Sequence, residues 1–285
     1  MMKVLLLVLI VLSLSFSSSS DEGKKDVIIW YQYHMPPFMV LEGPDQNRGI
    51  FDGVVTTLQK KLKYYEHRNL RMSIQRFFRT ISNHNNICSA LTLKTPDREK
   101  YIYFSRPYSI LLPNRIIIKK STHRMLGNPK SISIRSLLLD PTFSTIVQEG
   151  RTYKMPLNRI LRRHESGGNF KRMNVEMEIL FDMFERGRIN YLIEYASVAK
   201  YYLKKKFEKD YVFLPIEEMP KYYQAVIGCS KTEKGKRIID QINTIIEKTE
   251  TEKVFRNSMK RWLSEKEKKE IERIAVDIKL NSPSK

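Results

Sequence analysis

From residue 27 onward the chain alternates short apolar runs of strand length with runs of helical periodicity, and the alternation starts afresh near residue 130. Alternation of this kind predicts an α/β layer with substantially parallel strands. "DVIIWYQYHMPPFMV" begins as an apolar strand and breaks at Pro36-Pro37. "GIFDGVVTTLQKKLKYY" follows as a Gly turn and a helix with Val54, Val55, Leu58 and Leu62 at helical spacing. "LRMSIQRFF" and "NICSALTL" read as the second and third strands, and "YIYFSRPYSILLPNRIIIKK" as two more runs around a Pro bend. In the second half "TFSTIVQEG" reads as a strand ending at Gly150, and 151–164 as a helix begun by that turn. A helix through Ile179, Leu180, Met183 and Phe184, a stop at Gly187, the strand "INYLIEY" and another helix come next. "YYQAVIGCSK" returns as one strand before terminal helices, and the charged tail 265–285 is expected to fray into disorder.

The stretch "TPDREKYIYFSRPY" raises a local question. Thr95 suits a helix N-cap, Pro96 gives up an amide that had no partner, and Asp97 favours the first turn. Arg98 is unfavourable at that positive end unless an anion meets it.

The first residues stand apart. "MMKVLLLVLIVLSLSFSSSS" carries one Lys, an apolar run from Val4 to Leu12, and then small Ser residues, the layout of a secretory signal peptide over 1–20. The competing reading is a membrane anchor, but the apolar run is well short of the roughly 20 residues a spanning helix needs. The mature protein is therefore expected to be exported and soluble. An oxidising compartment allows one disulfide between Cys88 and Cys229, the only cysteines; the alternative is two buried thiols. The net charge of +20 suggests nucleic acid, yet Lys and Arg are spread along the chain and no basic-aromatic module appears. Export argues the same way. No His-Glu metal spacing, no G-x-S-x-G elbow and no phosphate-cradling Gly loop occur, so neither an enzyme nor a cofactor or metal is expected.

Taken in order from about Ile28 to Leu263, these pieces resemble the family 3 periplasmic solute-binding proteins, the group holding the amino-acid receptors of ABC importers. The motifs are "MPPF" after the first strand, Gly49, Phe51 and Asp52 opening the next helix, "TPDREKYIYFSRPY", and "GRINYLIEYASVAKYY". The chain looks most like a branch with one Cys before the Thr-x-x-Arg element and a second in the returning strand. The resemblance implies an α/β two-lobed clamshell of the type II periplasmic-binding-protein kind, with two hinge crossovers. Lobe 1 would hold 24–113 and 222–264, and lobe 2 would hold 114–221.

Ligand would bind between the lobes. By resemblance, Arg98 would clamp a ligand carboxylate through its two parallel donors, beside Thr95 at the helix start. Gly150, Arg151 and Thr152 would offer amides and a hydroxyl from the start of a lobe 2 helix. Glu194 would take a ligand amino group, although a strict count from Gly187 places Tyr195 there, and adjacent strand residues face opposite sides. Leu93 replaces the Ser or Thr usual in the family, and Met35 replaces an aromatic; Tyr31, Tyr33 or Tyr153 would supply an aromatic wall instead. The implied function is a monomeric receptor for an amino acid or other small carboxylate, delivering it to a membrane ABC permease. A sensor signalling to a membrane partner and a dehydratase-like or cell-wall-cleaving enzyme on the same clamshell are the rival readings.

Overall fold

The computed structural model describes residues 25–83, 86–165, 167–204 and 207–280, so the candidate signal segment 1–20 lies outside the described residues. The first half runs β1 (Val27–Gln32), α1 (Ile50–Lys61), β2 (Glu66–Arg71), α2 (Ile74–Ile81), β3 (Ile87–Ser89), α3 (Pro96–Glu99), β4 (Ile102–Phe104) and β5 (Ser109–Leu111). A second unit follows with β6 (Arg115–Lys119), α4 (Lys120–Met125), α5 (Ile134–Leu139), β7 (Thr145–Gln148), α6 (Leu157–Arg163) and β8 (Phe170–Met173). It continues through α7 (Met177–Glu185), β9 (Tyr191–Glu194), α8 (Ala196–Leu203), α9 (Phe207–Asp210) and β10 (Tyr211–Pro215). The chain then returns by β11 (Tyr223–Ala225) and β12 (Gly228–Ser230) to α10 (Glu233–Ile246), α11 (Thr249–Lys260) and α12 (Glu265–Leu280).

One sheet has the order β2-β1-β3-β12-β4, with β1 parallel to β2 and β3 and with β12 antiparallel to both its neighbours. The other unit holds the antiparallel sheet β10-β6-β9 and the parallel pair β7-β8. Between the two units, β5 and β11 pair antiparallel, so the outgoing and returning chains lie side by side. One apolar cluster runs from Trp30 and Leu58 through Leu111 and Tyr223 to Phe181 and Leu192, tying both units together across that crossing.

Four local expectations change. "SIQRFF" is not strand but the start of α2, because Ser73 caps it by accepting from Arg76 N at 3.3 Å and Phe77 and Ile81, one turn apart, are both buried. The strand there is β2, an edge strand whose last four residues are exposed, and therefore without an apolar signal. "YYQAVIGCSK" is two short strands rather than one, since β11 serves the crossing and β12 the large sheet. Helix α6 begins at Leu157 rather than at 151, because Met155 precedes Pro156 and the residue before a proline is driven out of helical conformation. Finally, 265–280 is helical, not frayed. Ser264 and Glu267 form a capping box, with Ser264 N donating to Glu267 Oε2 at 2.8 Å and Glu267 N to Ser264 Oγ at 3.3 Å, and Ile274 is buried.

Candidate ligand-binding site

A cavity of about 100 Å3 opens between the two units. Its first wall comes from the end of β1 and the loop beyond it (Tyr31, Tyr33, Met35, Phe38), from α2 (Phe77, Phe78) and from 90–93 after β3, with Arg98 of α3. Gly150, Arg151, Thr152 and Tyr195 form the facing wall, and Leu111 and Ala225 of the crossing strands form its floor.

The Gly-Phe-Asp motif builds part of this wall. The Asp52 carboxylate accepts from Gly49 N at 2.8 Å and Val40 N at 2.9 Å, which fastens the loop after Pro36-Pro37 to the first turn of α1. A Cβ on residue 49 would stand 2.8 Å from Phe38 O, so glycine is required there. Phe38 and Phe51 consequently stack at 5.3 Å, and Phe38 meets the edge of Tyr195 from the other unit at 4.9 Å. Gly150, at φ +76°, turns the facing wall within reach of Gln75 and Ile74. The units also bond directly, Gln148 Nε2 donating to Tyr33 Oη at 2.8 Å.

Arg98 is 6% exposed. Thr95 caps α3 as expected, accepting from Arg98 N at 3.4 Å, but it serves the backbone and does not line the cavity. The Arg98 guanidinium lies 4.0 Å from the Phe78 ring centroid, and its Nη1 donates to Leu93 O at 3.1 Å. Burial lowers its pKa to about 10, opposed by the neighbouring Tyr101, Tyr31 and Tyr195. Its partners are phenols, an aromatic face and a backbone carbonyl, and no carboxylate among the described residues forms an ion pair with it. Two more polar residues line the same cavity, Tyr31 and Thr92, and their hydroxyls are buried with no hydrogen-bond partner among the described residues. Burial holds the Tyr31 phenol well above the usual range, so it stays a neutral hydroxyl.

On the facing side, Arg151 and Glu194 meet each other. Arg151 Nη2 donates to Glu194 Oε1 at 2.6 Å, and Tyr195 N donates to the same oxygen at 2.7 Å. Burial works against the Arg151 cation, but Glu194 overrides it and holds the pKa above the usual arginine range. Glu194 is 2% exposed and faces a separate small cavity beside Tyr153. The two adjacent residues thus diverge, and Tyr195 is the one in the cleft. Tyr153 also turns away into the core, donating to Ile193 O at 3.2 Å. Arg151 and Thr152 do line the cleft, although on an irregular segment rather than a helix N-terminus.

Reading the sequence brought Arg98, Tyr33, Met35, Arg151, Thr152 and Tyr195 to this cavity, and Tyr31 as an aromatic wall. It missed Thr92, whose hydroxyl stands one residue before the Leu93 that replaces the family's Ser or Thr, and it missed Phe77 and Phe78, hidden by the strand reading of α2. Cys88 and Cys229 are directly opposed on β3 and β12 and form a disulfide.

No helix among the described residues is long and apolar enough to cross a membrane, and no cluster of three metal-ligating side chains occurs among them. No curated protein sequence matches the chain. Solved structures do. An ancestral arginine-binding protein bound to glutamine is 17% identical with a TM-score of 0.64, covering 85% of this chain and 100% of its own. The substrate-binding protein of an amino acid ABC transporter is 19% identical with a TM-score of 0.60, covering 83% and 99%. An amino acid ABC transporter substrate-binding protein from Streptococcus pneumoniae, bound to L-arginine, is 16% identical with a TM-score of 0.61, covering 85% and 97%. These likenesses make the fold a type II periplasmic-binding-protein clamshell, with β5 and β11 pairing where the chain crosses between its two units. The sequence itself matches the model of one family over residues 27–265, nearly the whole described chain, and the protein belongs to the bacterial extracellular solute-binding proteins, family 3.

Proposed function

We propose that this protein captures a small carboxylate-bearing solute between its lobes, outside the cytoplasm, and presents it to an ABC-type importer without chemically changing it. Lobe 1 is taken as 24–113 with 222–264 and lobe 2 as 114–221, and export follows from a signal peptide over 1–20. One observation carries the reading. Arg98 is a buried cation that faces the inter-lobe cavity without a carboxylate beside it. A guanidinium taken out of water is costly unless an anion completes it, and its planar donors fit a carboxylate. A ligand touching Arg98 on one lobe and Thr152 or Tyr195 on the other favours the closed form because only that form offers both sets of contacts.

Mass spectrometry of small molecules released from gently purified protein identifies the solute, and calorimetric titration with that solute measures its binding. A carboxylic acid bound with micromolar or tighter affinity is the expected result. Release of only neutral or cationic solutes would overturn the carboxylate reading.

A further inference from the structure

We infer that the solute is an apolar monocarboxylic acid of about one ring in size, bound through its carboxylate with no partner for an α-ammonium group. The inference rests on the reading above that Arg98 receives the carboxylate, and it adds the chemical class of the remainder.

Charge is the first argument. No Asp or Glu lines the cavity. Glu194, the acid expected to receive an amino group, is held by Arg151 at 2.6 Å and by its neighbour's amide at 2.7 Å, and it faces a different cavity. That pair cancels its own charge and, among the described residues lining the cavity, leaves Arg98 as the uncompensated unit charge, which a monoanion neutralises. An ammonium group placed there would lose its water with two guanidiniums nearby and no carboxylate among the described residues lining the cavity. A zwitterionic amino acid is therefore at a disadvantage against the same acid without its amine.

Polar groups are the second argument. Tyr31 and Thr92 line the cavity with Arg98, and their buried hydroxyls have no hydrogen-bond partner among the described residues. Two hydroxyl donors and a guanidinium can together saturate the lone pairs of one carboxylate. Without a ligand, both hydroxyls remain buried and unsatisfied, an arrangement that a native fold keeps for a reason.

The remaining surface is mostly apolar, with Tyr33, Arg151, Thr152 and Gln224 as its polar residues. Phe38, Phe51, Phe77, Phe78, Leu91 and Tyr195 present rings and methyl groups to the rest of the cavity. The cavity of about 100 Å3 is partly open to solvent, and its ring-rich lining suits a compact apolar body.

Calorimetry on the full mature chain, stripped of copurifying solute by dialysis, tests this with matched pairs. The probes are 3-phenylpropionate against L-phenylalanine and 4-methylpentanoate against L-leucine. The expected result is at least tenfold tighter binding of the better deaminated acid than of its amino acid. Thr92→Val and Tyr31→Phe should each weaken the acid severalfold with an unchanged melting curve. Equal or tighter binding of the amino acids overturns the inference, and so does failure of both acids to bind. If the amino acids win and Arg98→Ala still abolishes their binding, the carboxylate reading survives and only this inference falls. Binding that is indifferent to Arg98→Ala in a normally folded variant brings down both.

Discussion

Gln148 at the end of β7 donates a hydrogen bond to the Tyr33 hydroxyl beyond β1, 2.8 Å across the cleft, so the lobes are joined by a side-chain contact that needs no ligand. Gln148 Nε2 also donates to Val175 O at 2.8 Å within its own lobe, which holds the amide in place for its partner. Removing only the acceptor is therefore the cleaner test. Tyr33→Phe should weaken solute binding by roughly two- to tenfold, the range of one net hydrogen bond of about 0.5–1.5 kcal/mol. It should also increase the radius of gyration of the unliganded protein in small-angle X-ray scattering. An unchanged radius and affinity would show that the contact does not bias closure.

Arg98 should trade stability for binding. The unfolded chain keeps its guanidinium protonated up to the usual arginine range, whereas burial brings Arg98 in the fold down to about 10. Between those values the unfolded state binds more protons, so this group's contribution to stability rises with pH there. Below about pH 10 its burial opposes folding in full. Arg98→Met should accordingly leave the melting temperature equal or higher at neutral pH. The same variant should lose roughly 2–5 kcal/mol of solute binding, about thirtyfold or more. Arg98→Lys should recover only part, because an ammonium lacks the two parallel donors. A lower melting temperature in Arg98→Met would mark the residue as structural.

The disulfide closes a long loop. Cys88 and Cys229 are 141 residues apart, and chain-entropy reasoning gives about 5 kcal/mol for a loop of that size. Cys88→Ser with Cys229→Ser should lower the melting temperature by roughly 10–20 °C. Thiol titration of exported protein under denaturing, non-reducing conditions should find no free thiol. Two free thiols would contradict the bridge.

Helix α12 should restrain the hinge. Arg115, just past the crossing at β5, places Nη2 3.1 and 3.3 Å from the two carboxylate oxygens of Glu270, while Ile271 and Glu267 line a small cavity against Leu112 and Pro113. The pair is only partly shielded from water, so Glu270→Gln should cost about 1 kcal/mol, near fivefold in solute affinity. Removing 265–285 should have a larger effect in the same direction and should raise the scattering radius of the unliganded protein. Native affinity and radius in both variants would make α12 a passenger on the hinge.

Local pattern was enough for those features whose physics is local. Thr95-Pro96-Asp97 specified the cap of α3, Gly49 and Asp52 specified the start of α1, and the twice-repeated strand–helix alternation specified two α/β units. The ordered motifs pointed to the family and placed Arg98 on a cleft wall. The capping box of Ser264 and Glu267 is equally local, a Ser followed three residues later by a Glu. Tertiary structure alone decided the rest. Arg151 and Glu194 lie 43 positions apart, and no spacing rule says that they would meet and take that carboxylate out of the cleft. Tyr31, Thr92 and Arg98 come from three different segments that share a cavity only because β1 and β3 are neighbours in the sheet. Which side of a short strand or turn faces the cleft depends on how distant segments pack. Local composition sets an element's type, and long-range burial sets the direction in which its side chains point.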